Sequence, residues 1–336
     1  MRYLRKTIQL GAAAVVALGI MAGAISVASA VYPEKPITFL IPYGPGGGTD
    51  LSSRILCAEL EKHLGQPVVP TNKGGGGGAV SLGVLYGSKP DGYTIGAGTG
   101  SNMTIIPHST KVKYDVSKFT FISTYFGWPY YLVSNPSIPA NNLKELVAWA
   151  KANPGALVVA TTGGFNLHVL SAELMSEKAG GIEYRLLPTN SAAASTARVL
   201  AGDANFVTGS PVTYQQHIRA GTLKALAIVS DISTPEMDAL GIEKSEDVLG
   251  FALTNTTAII APPGLPENIR ATLEAAVKKA LENPETTKKL RGLGLPPSFE
   301  PGPQAKDHVM KTYDKYGKMI KKIMAKRSEE RRVGKE

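Results

Sequence analysis

An α/β fold built on mostly parallel sheets is what this sequence predicts, on three observations. From Val31 onward, apolar runs of strand length alternate with segments of helical period. The strand-like runs are nearly continuous in apolar residues, as expected where both faces of a sheet are covered. Glycine- or threonine-rich loops join the ends of these runs to the helices that follow.

Taken in order, "KPITFLIPY" is an apolar strand. "TDLSSRILCAELEKHLG" is a helix, with Leu51, Ile55, Leu60 and Leu64 at helical spacing and Gly65 as its stop. "QPVVPTN" is a short strand, "AVSLGVLYGS" a helix, and "DGYTIGAGT" a turn and strand. "FTFISTYFG" and "YYLVSN" are strands. "NNLKELVAWAKANPG" is a capped helix ending before Pro154-Gly155. "ALVVATTGG", "ANFVTGS", "LKALAIVS" and "TNTTAIIAPPG" are strands, and between them lie helices at "FNLHVLSAELMSEKAG", "SAAASTARVLAG" and "VTYQQHIRAG". "PENIRATLEAAVKKALENP" and two more helices reach Lys326; following a single strand, they are expected to cover an earlier sheet. No solenoid repeat is visible.

Both ends of the chain read as foreign to this fold. Arg2, Arg5 and Lys6 precede an uncharged apolar stretch from Leu10 to Val27, and Ala28-Ser29-Ala30 fits a cleavage site. A secretory signal peptide over 1–30 is expected, cleaved after Ala30, with a membrane anchor as the alternative. Together with a single cysteine, the leader points to a bacterial envelope protein. "RSEERRVGKE", Arg327 to Glu336, has no apolar period. It matches one reading frame of a common sequencing-library adapter and is expected to be a non-native or disordered tail.

The 336 residues are 43% hydrophobic and 19% charged, with a net charge of +9. The leader carries three of those charges and the tail a net one, which leaves a mild +5 on the body. That is not the footprint of a nucleic-acid binder. One cysteine, Cys57, excludes an internal disulfide.

Six strand-end loops could hold a ligand: Tyr43 to Asp50, Gly74 to Gly78, Gly98 to Met103, Ala160 to Leu170, Leu187 to Ser195 and Val207 to Pro211. In the first, glycines let backbone N–H groups face an anion, and the helix start adds free donors. Gly48-Thr49-Asp50 lacks the lysine of a P-loop, and Thr49 stands where a dinucleotide fingerprint needs its third glycine. A phosphate chain is disfavoured; a carboxylate needs only a few donors. No nucleophile elbow, H-E-x-x-H or paired-cysteine pattern occurs, and the five histidines share no ligand spacing. No catalytic residue, metal or cofactor is therefore expected. Such a site recognises a ligand and releases it unchanged; the alternative is a secreted hydrolase or nucleotide-using transferase.

"YPEKPITFLIPYGPGGGTDLSSRILCAELEKHLGQPVV", "PDGYTIGAGT", "NNLKELVAWAKANPGAL", "HIRAGTLKALAIVS" and "APPGLPENIRATLEAAVKKALENPETTKKLRGLG" closely resemble the Bug/TctC family, the extracytoplasmic solute receptors of tripartite tricarboxylate transporters. The resemblance covers about Tyr32 to Lys326. It implies a two-domain periplasmic binding protein of type II, Venus-flytrap-like, each domain a mostly parallel sheet flanked by helices. Domain 1 would be 31–127 plus 254–326, and domain 2 would be 128–253. The ligand would be a small organic carboxylate. The partners would be membrane transporter subunits or, as an alternative, a sensor kinase, with the receptor a monomer.

The resemblance carries ligand contacts onto Tyr43, Gly46, Gly47, Gly48, Thr49, Asp50, Thr99, Gly100, Ser101, Thr161, Thr162, Gly163 and Gly164, and onto His168, a position commonly histidine in the family. Thr189, Asn190, Gly209 and Ser210 complete the candidate set from the remaining loops. Two departures bear on the ligand. Where relatives often read "VPYKGG", this chain reads Leu187 to Ala192; where many read "VDLMFDN", it has Ala204 to Ser210, without the two acids. A ligand without an amino group is expected.

Overall fold

The computed structural model describes residues 32–162, 164–189 and 191–333. The expected signal peptide and its cleavage site lie outside them. From Lys35 on, the chain forms one compact unit holding two five-stranded sheets.

The first sheet contains β1 (Ile37–Ile41), β2 (Val68–Asn72), β3 (Thr94–Gly98), β4 (Thr120–Gly127) and β10 (Thr256–Ala261), in the order β2-β1-β3-β10-β4. The second contains β5 (Tyr131–Ser134), β6 (Leu157–Thr162), β7 (Tyr184–Thr189), β8 (Phe206–Gly209) and β9 (Lys224–Ile228), in the order β7-β6-β8-β5-β9. In each sheet one strand opposes the other four. In the first it is β10, antiparallel to β3 and β4; in the second it is β5, antiparallel to β8 and β9.

These two strands are the ones the chain enters by crossing from the other sheet. β4 leads to β5 through Trp128-Pro129-Tyr130, and β9 returns to β10 through residues 229–255. A strand entered at the crossing runs away from it, whereas its neighbours run towards it. The register shows this: Tyr131, the first residue of β5, pairs with Gly209 at the end of β8, and Ala258 pairs with Gly98 at the end of β3. The loops after β1, β3, β6 and β8 therefore all open at the crossing end of their sheets.

The helices follow the expected pattern. α1 (Gly48–Leu64) buries Leu56, Cys57, Leu60 and Leu64, and ends on Gly65 in the left-handed conformation, whose N–H bonds Glu61 O. α2 (Ala79–Tyr86) covers β3; the short α3 is Ile106–Ser109. In the second lobe α4 (Leu143–Ala152) is capped by Asn142, α5 (Leu167–Lys178) by Asn166 and α6 (Ala192–Ala201) by Ser191. α7 (Pro211–Arg219) and two short helices, α8 (Pro235–Asp238) and α9 (Ser245–Leu249), complete that lobe. α10 (Glu267–Glu282), α11 (Pro284–Gly292) and α12 (Gly302–Val333) follow β10. α10 packs on α1 and β4, and α12 packs on β4, so the terminal helices do cover the first sheet.

The core is two-centred. Leu40, Leu82, Phe119, Phe121 and Ile260 fill one centre, and Tyr131, Val133, Ala160, Val207 and Ile228 the other. Each leucine, isoleucine, valine or phenylalanine among these contributes about 1.5–3 kcal/mol on burial. The outer edge of β4 is sealed by the segment before α12: Thr124 N–H donates to Glu300 O and Ser298 N–H to Tyr125 O. Among the described residues no helix is long and apolar enough to cross a membrane.

Several elements differ from expectation: the short helices α3, α8 and α9 carry no sequence expectation, and two longer elements differ as well. β7 was not expected, because Arg185 and Pro188 interrupt it and its faces are half exposed; it pairs β6 as an edge strand. α12 continues past Lys326 to Val333, since the arginine and glutamate run favours helix and meets no breaker before Gly334.

Candidate functional site

The loop after β1 is shaped from inside. Gly46 takes φ +85°, a left-handed conformation that glycine adopts without strain. Its N–H donates to Oδ2 of Asp50 at 2.9 Å. The other oxygen of Asp50 accepts from Arg54 Nε at 2.9 Å and Asn72 Nδ2 at 2.8 Å. Asn72 also donates to Tyr43 O, which ties the loop to the end of β2. Burial alone would raise the Asp50 carboxyl; the hydrogen bonds from Arg54, Gly46 and Asn72 outweigh it and hold the carboxyl below its ordinary value. Asp50 is thus engaged with its own loop.

The helix cap is Gly47, in extended conformation and without a side-chain hydrogen bond. The first N–H groups of α1 consequently lack a side-chain cap. Gly44, Gly46 and Gly47 are exposed, with open space where a Cβ would stand. Gly48 is different. A Cβ there would lie 2.7 Å from the Trp128 ring and 3.3 Å from Val212 Cγ2. Trp128 belongs to the first crossing and Val212 to α7 of the second lobe, so the two lobes meet over the start of α1.

At the end of β3, Tyr43 and Thr99 share a hydroxyl hydrogen bond of 2.8 Å. Thr99 N–H donates to Asn102 Oδ1 and Gly100 N–H to Asn255 Oδ1, each at 2.8 Å. These two backbone donors are already engaged. Ser101 begins a single π-turn, Ser101–Ile105, a distortion common at functional sites.

In the second lobe, Asn166 organises the loop after β6. Its Oδ1 accepts from His168 N–H at 3.0 Å, Val169 N–H at 3.2 Å and Thr161 Oγ1 at 3.2 Å; its Nδ2 donates to Thr162 O at 2.7 Å. Thr189 Oγ1 lies 3.3 Å from Thr161 O, which joins it to the group, and shares a 2.7 Å hydrogen bond with Ser195 Oγ. Gly164 is exposed; Gly163 and Asn190 lie outside the described residues. His168 Nδ1 is buried and has no protein partner. Burial pushes the ring down to about 4, so it is neutral at physiological pH.

Gly209 owes its identity to packing: a Cβ would fall 1.8 Å from the Tyr214 ring. Ser210 is buried and caps α7 from an extended backbone without a side-chain hydrogen bond, and Pro211 follows. Two helix starts without side-chain caps, α1 and α7, therefore come close where Gly48 meets Val212.

The sequence places each candidate loop at a strand end, and the sheet registers bring those after β1, β3, β6 and β8 to the crossing end; Trp128, Val212, Asn255 and Asn72 carry no such signal. Each makes its contact to a residue at least 18 positions away, and no local motif marks it. A cavity of about 600 Å³ opens elsewhere, beside the second crossing, lined by residues including Asp231, Thr254, Glu300, His308 and Lys311. It shares no residue with the strand-end loops, and most of its polar side chains bond one another, Glu300 with His308, Lys311 with Asp307 and Asp231 with the Thr254 hydroxyl. The loops themselves carry no lysine or arginine from Tyr43 to Asp50, Thr99 to Ser101, Thr161 to His168 or Gly209 to Val212. Their chemistry is that of neutral donors and helix starts, which suits an anion.

The sequence model of the tripartite tricarboxylate transporter family receptor matches residues 53–325. Among curated relatives, the UPF0065 protein in gbd 5'region of Cupriavidus necator is 29% identical over 320 residues, covering 93% of this chain and 94% of that protein. The fold is similar to that of MatC from Rhodopseudomonas palustris with bound malate, at a TM-score of 0.75 and 24% identity over 86% of this chain and 100% of that one. It is also similar to an R. palustris protein with adipate, at a TM-score of 0.78 and 24% identity over 86% of this chain and 97% of that one.

Proposed function

The chain belongs to the tripartite tricarboxylate transporter receptor family, and on that premise we propose that it captures a small organic carboxylate without an amino group between its two lobes and hands it, unchanged, to the membrane subunits of such a transporter. The observation that carries this reading is the uncapped start of α1, close to the start of α7 at Gly48 and Val212, with no cationic side chain in the loops around them. A helix start favours an anion by about 0.3–1 kcal/mol, and hydrogen bonds to a charged group contribute about 1.5–3 kcal/mol each. Three or four such bonds supply a gross interaction of about 5–12 kcal/mol without any lysine or arginine, part of which offsets the cost of association.

The lobes we assign are 31–127 plus 254–326 and 128–253. The position of the two crossings supports these limits. Within the site, Gly47, Gly48 and Thr49 offer backbone donors, Tyr43, Thr99 and Ser101 offer hydroxyls from the first lobe, and Thr161, Thr162, His168 and Ser210 face them. Asp50 acts through the loop it holds. The mature protein begins after Ala30 and works as a monomer in the periplasm. The bound malate and adipate of the two R. palustris proteins make dicarboxylates the first acids to try.

A thermal-shift screen over di- and tricarboxylates, aromatic acids and amino acids tests the proposal, followed by calorimetry on the hits. A rise in melting temperature with a non-amino acid is expected. Tight binding to amino acids alone overturns it.

A further inference from the structure

Asn255 is buried at the start of β10, where the second crossing re-enters the first lobe. Three of its polar groups are engaged, each with a different partner. Its Oδ1 accepts from Gly100 N–H at 2.8 Å, in the candidate ligand loop. Its Nδ2 donates to the Tyr130 hydroxyl at 2.5 Å, and its carbonyl accepts from Trp128 N–H at 2.8 Å, both in the first crossing. One residue, through its side chain and its carbonyl, thus ties the ligand loop to both crossings.

The surroundings are fitted to this contact. A Cβ on residue 100 would lie 2.2 Å from Asn255 Oδ1, so only glycine lets the amide reach the backbone there. Tyr130 is itself fastened, its N–H donating to Ser230 Oγ and its O accepting from Val229 N–H. The neighbouring Thr254 is held by Tyr316 of α12 through both its N–H and its O. A change in the backbone of Thr99–Ser101 moves the Gly100 amide, and Asn255 can keep both partners only if Tyr130 moves with it. A buried amide cannot drop one partner cheaply, because the group left without a hydrogen bond costs about 1–3 kcal/mol.

We propose that Asn255 is a positioning residue that couples the Thr99–Ser101 loop to the hinge, so that occupation of the loop and the angle between the lobes are set together. The inference rests on the carboxylate site proposed above, but its central test does not need a ligand. Spin labels at Lys151→Cys in the second lobe and Lys278→Cys in the first, both exposed positions, report the distance between lobes, while the buried Cys57 stays unlabelled. The full chain is measured alone and with malate or adipate.

Tyr130→Phe removes only the hinge half of the link, and Gly100→Ala displaces the loop half. Each alone is expected to shift the open-to-closed ratio about fivefold. Together they are expected to give the same fivefold, since one link has been cut twice. Should Gly100→Ala not fold, Asn255→Leu serves in its place, and Tyr130→Phe is then expected to add nothing in that background. An additive result, about 25-fold, overturns the coupling. If neither acid binds but the ligand-free cycle is non-additive, the coupling stands and the choice of ligand falls.

Discussion

The loop after β1 and the loop after β6 look alike in sequence, each a run of glycine with threonine between a buried strand and a helix. Their helix starts are finished in opposite ways. In the second lobe Asn166 closes the first turn of α5, taking the N–H groups of His168 and Val169. In the first lobe Gly47 leaves α1 without a side-chain cap, and the acid nearby, Asp50, turns back to hold Gly46. A glycine-rich loop after a strand is therefore not enough to make an anion site. What matters is whether the helix behind it has already used its donors: α1 has no side-chain cap, whereas α7, also without one, begins at Pro211, which has no N–H, and its Thr213 N–H already donates to Ser210 O.

The largest effect follows from closing the open start. Gly47 has an ordinary extended backbone and empty space beyond its Cα, so Gly47→Val fits the fold. The same side chain covers the free amides of α1. Calorimetry with the acid found in the thermal screen should show affinity falling by about 100-fold or more, on the order of 3 kcal/mol. The melting temperature should fall only modestly, since valine is a poorer N-cap than glycine and costs about 1 kcal/mol there. Equal affinity in the variant would make this loop a turn and nothing more.

The next effect concerns the acid that shapes the loop. Asp50 has a carboxyl below its ordinary value when folded, against about 3.9 when unfolded. The unfolded chain then binds more protons in that range, so the contribution is complete above about pH 5 and is lost as pH falls below about 4. Asp50→Asn keeps an acceptor for Gly46 but loses the charge facing Arg54. We expect a cost of about 1–2 kcal/mol at pH 7, kept modest because Arg54 is half exposed. Melting curves from pH 3 to 7 should converge with those of the unaltered protein at the acid end. A constant gap across that range would show that the charge plays no part.

Asn166→Ala probes the closed start. It removes a cap and should cost about 1 kcal/mol of stability by thermal melting. Affinity should fall less than about tenfold, because these N–H groups were engaged with Asn166. A loss as large as that of Gly47→Val would erase the distinction between the two loops.

Much of this architecture was legible along the chain, because strands such as "ITFLI" and "TAIIA" are buried on both faces and signal themselves by composition. β7 did not, since an edge strand with Arg185 and Pro188 has neither alternation nor an apolar run. In the site, Gly46 and Gly47 were readable as loop glycines. Gly48 and Gly209 were not readable for what they do, which is to admit the rings of Trp128 and Tyr214. Asn255 was silent for the same reason: its partners lie 125 and 155 residues away, and only the crossings bring them together.

The smallest expected effect is a null one, and it sharpens the contrast between neutral and charged recognition. His168 titrates at about 4 in the folded protein, against roughly 6.5 in an unfolded chain. Its stability contribution is whole above about pH 6.5 and falls away towards pH 4, because only the unfolded state takes up the proton in between. Ligand affinity should behave differently. With the ring uncharged, it can offer a carboxylate only a neutral N–H, so calorimetry between pH 5.5 and 8 should find affinity constant within about twofold while the melting temperature drifts down on the acid side. A steep gain in affinity as pH falls through about 6.5 would mean that an imidazolium forms against the ligand, and the second lobe would then hold its anion by charge instead of by the helix start of α7.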